Sequence, residues 1–321
     1  MAQTKHEIQA LLAVAGMGPR HRFGQNFMID QNLVRLVAEA GRIAAGDVVV
    51  EVGPGTGTLT EELLARGADV VAVEIDRDLA ALLRNRLSDL EHFTLIEGDA
   101  LAGKHELNAE LKARLAADQS AARPVKLVAN LPYNIASPLV IEMLIAGVEL
   151  LAFTVQKEVA DRLRAAAGSD DYGPLTVMVQ LLSRVEVLRT LPPQAFWPPP
   201  KIDSALVRLT RDDRLGPRAA PFGRFVHTLF AARRKTLRKA LSQAGHDADA
   251  MLSTLGIDPQ LRPERLTPEQ CLTLYELATG ARRDLSHSTG TPGEGRGVGG
   301  GERRAAPGEP KSPSPSPSSS P

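Results

Sequence analysis

The stretch DVVVEVGPGTGTLTEELLARGADVVAVEID, residues 47–76, decides the architecture. A Val-rich run (48–52) passes directly into glycines at 53, 55 and 57. A segment of helical spacing follows, and then a second Val-rich run (70–73). Runs that are apolar on both faces indicate strands covered on both sides, which is the signature of a parallel sheet between helical layers. The alternation continues outward through RDLAALLRNRL, FTLIEGD, VKLVANL and LLAFTVQ. The expected fold is therefore a doubly wound α/β domain. SALVRLT is a further strand candidate, whereas 175–188 (LTVMVQLLSRVEVL) is ambiguous because its first half reads equally as helix.

After PPQAFWPPPK the character changes. From Phe222 to about Gly280 the spacing is helical and strand runs are lacking, with Thr267 and Pro268 as an expected cap and first-turn pair. The organisation read from this is an N-terminal arm (1–20), the α/β domain (21–213), a small all-helical domain (214–283) and a tail (284–321). The tail ends in SPSPSPSSSP and has too little apolar surface to join a core, so disorder is expected.

Composition narrows the function. The chain has 321 residues, 43% of them hydrophobic, and a single cysteine, Cys271, which cannot close an internal disulfide. No window approaches the roughly 18 uncharged apolar residues of a membrane span. A soluble protein of the reducing cytoplasm is expected, without a membrane partner. The net charge of zero hides an asymmetry: residues 41–110 carry 6 basic against 14 acidic side chains, and residues 214–283 carry 12 against 6. One region repels polyanions and the other attracts them.

The glycine loop follows a strand and opens a helix, so its backbone can approach a ligand closely. Its G-x-G-x-G spacing departs from the dinucleotide fingerprint, and no G-x-x-x-x-G-K-[ST] phosphate cradle occurs. Glu74, ending the second strand, is placed to take the hydroxyls of a ribose. Asp99, after the third, is placed to accept from an adenine amino group. An adenosine with a cationic sulfonium tail suits this acidic neighbourhood better than a pyrophosphate, so S-adenosylmethionine is the expected cofactor.

Asn130-Leu131-Pro132-Tyr133 ends the fourth strand. The Asn130 amide oxygen and the Leu131 carbonyl, turned inward by Pro132, can accept from an exocyclic amine while Tyr133 stacks on its ring. Held this way, the amino nitrogen recovers electron density for in-line attack on a sulfonium methyl, with positioning as the main source of acceleration. Basic residues Arg233, Arg234, Lys235, Arg238 and Lys239 read as one face of a single helix, backed by Phe230, Leu237 and Leu241, and suited to phosphates. The seven histidines show no metal-ligand spacing, so no metal is expected.

His21-Arg22-Phe23-Gly24-Gln25-Asn26-Phe27-Met28, EVGPGTGTLT, VAVEID, EGDAL, NLPYNIASPL, FTVQKEVADRL and PPQAFWPPPKIDSALVRL occur in this order. From about residue 20 to 280 the set resembles the ribosomal RNA adenine dimethyltransferases, most of all their bacterial small-subunit branch. The resemblance implies a Rossmann-like class I SAM-dependent methyltransferase fold with a helical C-terminal domain that binds RNA. It implies Asn26, Met28, Gly53, Glu74, Asp99 and Asn130 as cofactor residues. It also implies Phe196 as an aromatic that stacks on the target base opposite Tyr133. The implied reaction dimethylates N6 of two adjacent adenines in a hairpin loop near the 3′ end of 16S RNA, on a partly assembled 30S particle, by a monomeric enzyme. Met28 stands where leucine is usual, and Trp197, also atypical, reads as a packing residue. Two rivals remain: a large-subunit RNA methyltransferase with the same chemistry, and an assembly factor that binds RNA and uses the cofactor only weakly.

Overall fold

In a computed structural model of the chain, the described residues are 3–20, 24–103, 106–232 and 234–280. Arg233 and the tail expected to be disordered over 284–321 lie outside them. The chain opens with α1 (Lys5–Val14), the short strand β1 (Phe27–Met28) and α2 (Gln31–Ala40). Alternation follows in β2 (Val48–Val52), α3 (Thr58–Ala65), β3 (Asp69–Glu74), α4 (Arg77–Leu87) and β4 (Phe93–Glu97). The antiparallel pair β5 (Leu101–Gly103) and β6 (Glu106–Leu107) leads to α5 (Ala109–Ser120), β7 (Val125–Asn130), α6 (Ala136–Ile145), β8 (Leu150–Gln156) and α7 (Lys157–Leu163). Next come α8 (Pro174–Leu182), β9 (Ser183–Leu191), β10 (Phe196–Trp197) and β11 (Ser204–Arg211). Four helices, α9 (Ala219–Ala231), α10 (Leu237–Gln243), α11 (Ala248–Leu255) and α12 (Pro268–Ala278), complete the described chain.

Seven strands form one sheet in the order β4-β3-β2-β7-β8-β11-β9. The five from β4 to β8 are parallel, and β11 runs antiparallel between β8 and β9. The chain builds outward from β2 through β3 to β4, then returns to the other side of β2 with β7. This reversal opens a crevice at the carboxyl ends of β2 and β7, where ligands bind in open α/β sheets.

Strand alternation feeds two apolar layers. Val48, Val50 and Val52 join one buried cluster with Leu127 and Phe153, while Val49 joins another with Val70 and Ala152. Each fully buried Val contributes about 1.5–3 kcal/mol. The first cluster continues without a break into Phe222, Val226, Leu237, Leu241 and Leu274. Packing therefore gathers residues Met1–Ala281 into one compact unit. The change at 213/214 marks the end of strand formation rather than a gap in the core. The N-terminal arm is also docked, since Ile8 and Leu12 of α1 are buried with Phe27 and Leu79.

Local sequence accounts for the two outcomes that differ from a simple pattern reading. The ambiguous segment is both helix and strand: α8 begins at Pro174, and at Ser183 the backbone becomes extended (φ −158°, ψ 163°). There Val185 and Val187 alternate with Arg184 and Glu186, a period of two. The basic helix expected as one element is instead split. Helix α9 ends at Ala231 and α10 begins at Leu237, because the Thr236 hydroxyl accepts from the Lys239 N–H and so caps a new helix. Arg234 and Lys235 thus lie in the turn, and only Arg238 and Lys239 are helical. The expected backing holds, with Leu237 and Leu241 fully buried. Thr267 caps α12 as expected, with Pro268 at its first position.

Candidate active site

The glycine loop forms the floor of the crevice. Gly53 has φ +72° and donates its N–H to the Val73 carbonyl at 2.9 Å, bending the chain off β2 toward β3. Gly55 has φ +62°, and a Cβ there would lie 2.9 Å from the Phe27 ring. Both positions require the left-handed backbone that glycine adopts freely. The crevice encloses about 1000 Å³ of space, part of it open to solvent, between this loop, the segment 24–28, the ends of β3 and β4, and the turn after β7.

The residues expected to hold a cofactor converge there. Asn26, Met28, Gly53, Glu74, Asp99 and Asn130 all line the crevice. Glu74 is 4% exposed, and its two oxygens accept from the N–H groups of Asp76 (2.8 Å) and Gly55 (3.3 Å). Burial nevertheless pushes its pKa up to about 7. Asp99 is exposed and accepts from the Leu101 N–H at 3.0 Å.

Sequence reasoning passed over two lining residues. Glu51, 1% exposed, accepts from the Thr60 hydroxyl at 2.6 Å, and burial pushes its pKa up to about 8, with the neighbouring Glu74 charge adding to the shift. Ile75 leaves 44% of its surface exposed beside Glu74, an apolar plate on the crevice wall. The signal for Glu51 was its place one residue before the loop, and for Ile75 an apolar residue directly after a strand end.

The segment 24–28 is tied to the crevice by charge. Asp76, with 1% of its side chain exposed, accepts from Arg20 (2.7 Å) and Gln25 (3.1 Å). Arg20 also reaches Asp78, and its N–H donates to Gln25 Oε1 at 2.8 Å. This brings Asn26 against Asn130: the Asn130 Nδ2 donates to the Asn26 carbonyl at 2.7 Å.

Asn130, Leu131, Pro132 and Tyr133 all line the crevice. Tyr133 is half-buried, its hydroxyl 2.8 Å from Ser204 Oγ, and burial raises its pKa so that the phenol stays protonated. Phe196 is not brought to this wall. It is 1% exposed, within the cluster that includes Met28, Leu33 and Leu206, because β10 pairs with β1 and sets Phe196 opposite Met28. Its partner Trp197 stacks on Phe27, centroids 6.3 Å apart, the packing role expected for it. Of the basic residues, Arg234, Lys235, Arg238 and Lys239 are exposed and lie apart from the crevice, and Arg238 pairs with Asp249 at 2.6 Å. Among the described residues no group of three or more His, Cys, Asp or Glu can hold a metal ion, and no helix is long and apolar enough to cross a membrane.

A crevice at the reversal of a parallel sheet, floored by a glycine loop without a phosphate cradle and walled by Glu74, Asn130 and Tyr133, is a layout that suits a methyltransferase acting on a nucleobase. Residues 17–279 match the family model of the ribosomal RNA adenine dimethylases, and the chain belongs to that family. It is 44% identical over 256 residues to the ribosomal RNA small subunit methyltransferase A of Hahella chejuensis, covering 78% of this chain and 89% of that one. It is also 44% identical over 269 residues to the protein of that name from Magnetococcus marinus, covering 82% and 93%. Among solved structures, the 23S rRNA methyltransferase ErmE is 28% identical, with a TM-score of 0.55, 79% of this chain covered and 100% of that one.

Proposed function

We propose that this chain transfers methyl groups from S-adenosylmethionine to N6 of two adjacent adenines of small-subunit ribosomal RNA, in the cytoplasm, during assembly of the small subunit. The observation that carries this is the Asn130 amide, fixed at the crevice wall with its nitrogen committed to the Asn26 carbonyl. The oxygen accepts from the Thr154 hydroxyl and keeps a second lone pair for the incoming amine.

The crevice fits the methyl donor on its own features. Gly53 and Gly55 let the loop lie against Pro132 and Phe27, where a Cβ would crowd their side chains, Glu74 presents a carboxylate, and Ile75 presents an apolar plate. When bound, the donor supplies an electrophilic methyl on a sulfonium. Glu74 takes the ribose hydroxyls, and Asp99 with Ile75 frames the adenine. Asn26, Met28 and Gly53 hold the methionine end. Asn130 and the Leu131 carbonyl accept the two hydrogens of the target amine, and Tyr133 stacks on the base. Proton loss follows attack, so no strong base is required.

Small-subunit RNA is favoured over large-subunit RNA because relatives at 44% identity carry the small-subunit name, whereas the 23S enzyme stands at 28%. The turn Arg234–Lys235 and the start of α10 offer cations to RNA phosphates, and the chain works as a monomer on a partly assembled particle. Mass spectrometry of both ribosomal RNAs from cells with and without the gene tests this. Dimethyladenosine lost from small-subunit RNA alone is the expected result. Loss from large-subunit RNA, or from neither, overturns it.

A further inference from the structure

We propose that Thr154 is a positioning residue for methyl transfer: its hydroxyl, donated to Asn130 Oδ1, aims the remaining lone pair of that oxygen at the target amine. The inference rests on the reading of Asn130 as the amine acceptor.

Thr154 lies at the middle of the sheet. It is the register partner of Asn130 on one side and of Leu206 on the other, and it is fully buried. Between Leu150 and Val155 it is the only polar residue of β8. A hydroxyl at such a place costs stability unless it is bonded. Its bond is to the side chain across the strand gap: Oγ1 lies 2.5 Å from Asn130 Oδ1.

Asn130 is thereby held at both ends. The Asn26 carbonyl can only accept, so it draws the Asn130 NH₂ to itself and forces the oxygen to the opposite side. One bond alone leaves the amide broad in its last torsion, because rotation about an sp³–sp² bond is soft. The Thr154 hydroxyl removes that freedom by taking one lone pair of Oδ1. The other lone pair is then fixed in direction toward the crevice that Asn130 lines. Attack on a methyl group is sensitive to alignment of the nitrogen, so the loss of this clamp acts on the chemical step and not on affinity.

The test compares four variants on under-methylated small ribosomal subunits, with single-turnover methyl transfer and calorimetric donor binding as readouts. Thr154→Val keeps the shape and removes the hydroxyl. It is expected to slow the single-turnover rate about two- to tenfold, the kinetic equivalent of one orienting hydrogen bond, with donor and subunit affinities unchanged. Thr154→Ser is expected to restore most of the rate. Thr154→Ala, which removes the hydroxyl together with the γ-methyl, carries the same expectation for the rate as Thr154→Val. Asn130→Ala separates the two ideas. If Asn130→Ala is inactive and both Thr154→Val and Thr154→Ala turn over like the native protein, the positioning role is wrong and the reading of Asn130 stands. If Asn130→Ala is fully active, both are wrong. Equal slowing by serine and valine together with weakened donor binding marks Thr154 as a packing residue and overturns the inference.

Discussion

The Tyr133 hydroxyl lies 2.8 Å from Ser204 Oγ, so the ring beside the crevice is tethered to the first residue of β11. Ser204 is fully buried, and its bond is to the hydroxyl at the tip of the ring. Removing the tether and removing the ring should therefore differ. Tyr133→Phe and Ser204→Ala are expected to lower turnover only severalfold. Tyr133→Ala forfeits base stacking of about 1–3 kcal/mol and falls much further. Steady-state kinetics on small subunits checks this, and equal losses in all three would refute a stacking role.

Gly55 is constrained twice, by its positive φ and by the Phe27 ring. Gly55→Ala is expected to lower the melting temperature and weaken donor binding at least tenfold, about 1.4 kcal/mol. Gly245→Ala provides the control, since its φ of +84° is similarly strained while nothing lies within 4 Å of the added Cβ. Calorimetry that finds the two variants equal in donor affinity would show that the close approach to Phe27 is immaterial.

The raised pKa of Glu51 gives stability a definite slope. Its carboxyl titrates near 4.5 when unfolded and at about 8 when folded, so the native state holds an extra proton between these values. Stability from this group is complete below about pH 4.5 and is lost as pH rises through about 8. Glu51→Gln should flatten that decline and be the more stable form above pH 8. Thermal unfolding across this range in the absence of donor is the measurement, and an undiminished slope in the variant would remove Glu51 as its source.

The basic turn predicts unequal contributions to RNA binding. Among the described residues, Arg234, Lys235 and Lys239 make no ion pair, whereas Arg238 is already matched by Asp249. Replacing the first three with alanine should reduce the slope of log affinity against log salt by about 0.7–0.9 for each phosphate that is no longer neutralised. Arg238→Ala should change it less. Filter binding across a salt series decides, and an unaltered slope in the triple variant means that the turn is merely solvated.

Much of this molecule was legible because period and spacing are local. The Val runs declared buried strands, the glycines after β2 declared a ligand loop, and Glu74, Asp99 and Asn130 each stand at or just beyond a strand end. Partners from distant strands were not legible. Thr154 and Ser204 acquire their roles only through register with β7 and packing beside the NLPY turn, which no single segment encodes. The break between α9 and α10 was missed because uniform positive charge hid a threonine cap. Phe196 shows the opposite limit: an aromatic expected at the base is held in the core by pairing with Met28. Phe196→Ala should accordingly cost about 3–5 kcal/mol of stability, measurable by denaturant unfolding before any effect on turnover is interpreted.

The ribbon of β1 and β10 joins two segments that the chain order keeps far apart. Met28 lines the crevice and Phe196 is buried in the core, yet the two are cross-strand neighbours. A displacement of either is a displacement of both. The short ribbon thus ties the position of a crevice-lining side chain to the packing of the core behind it.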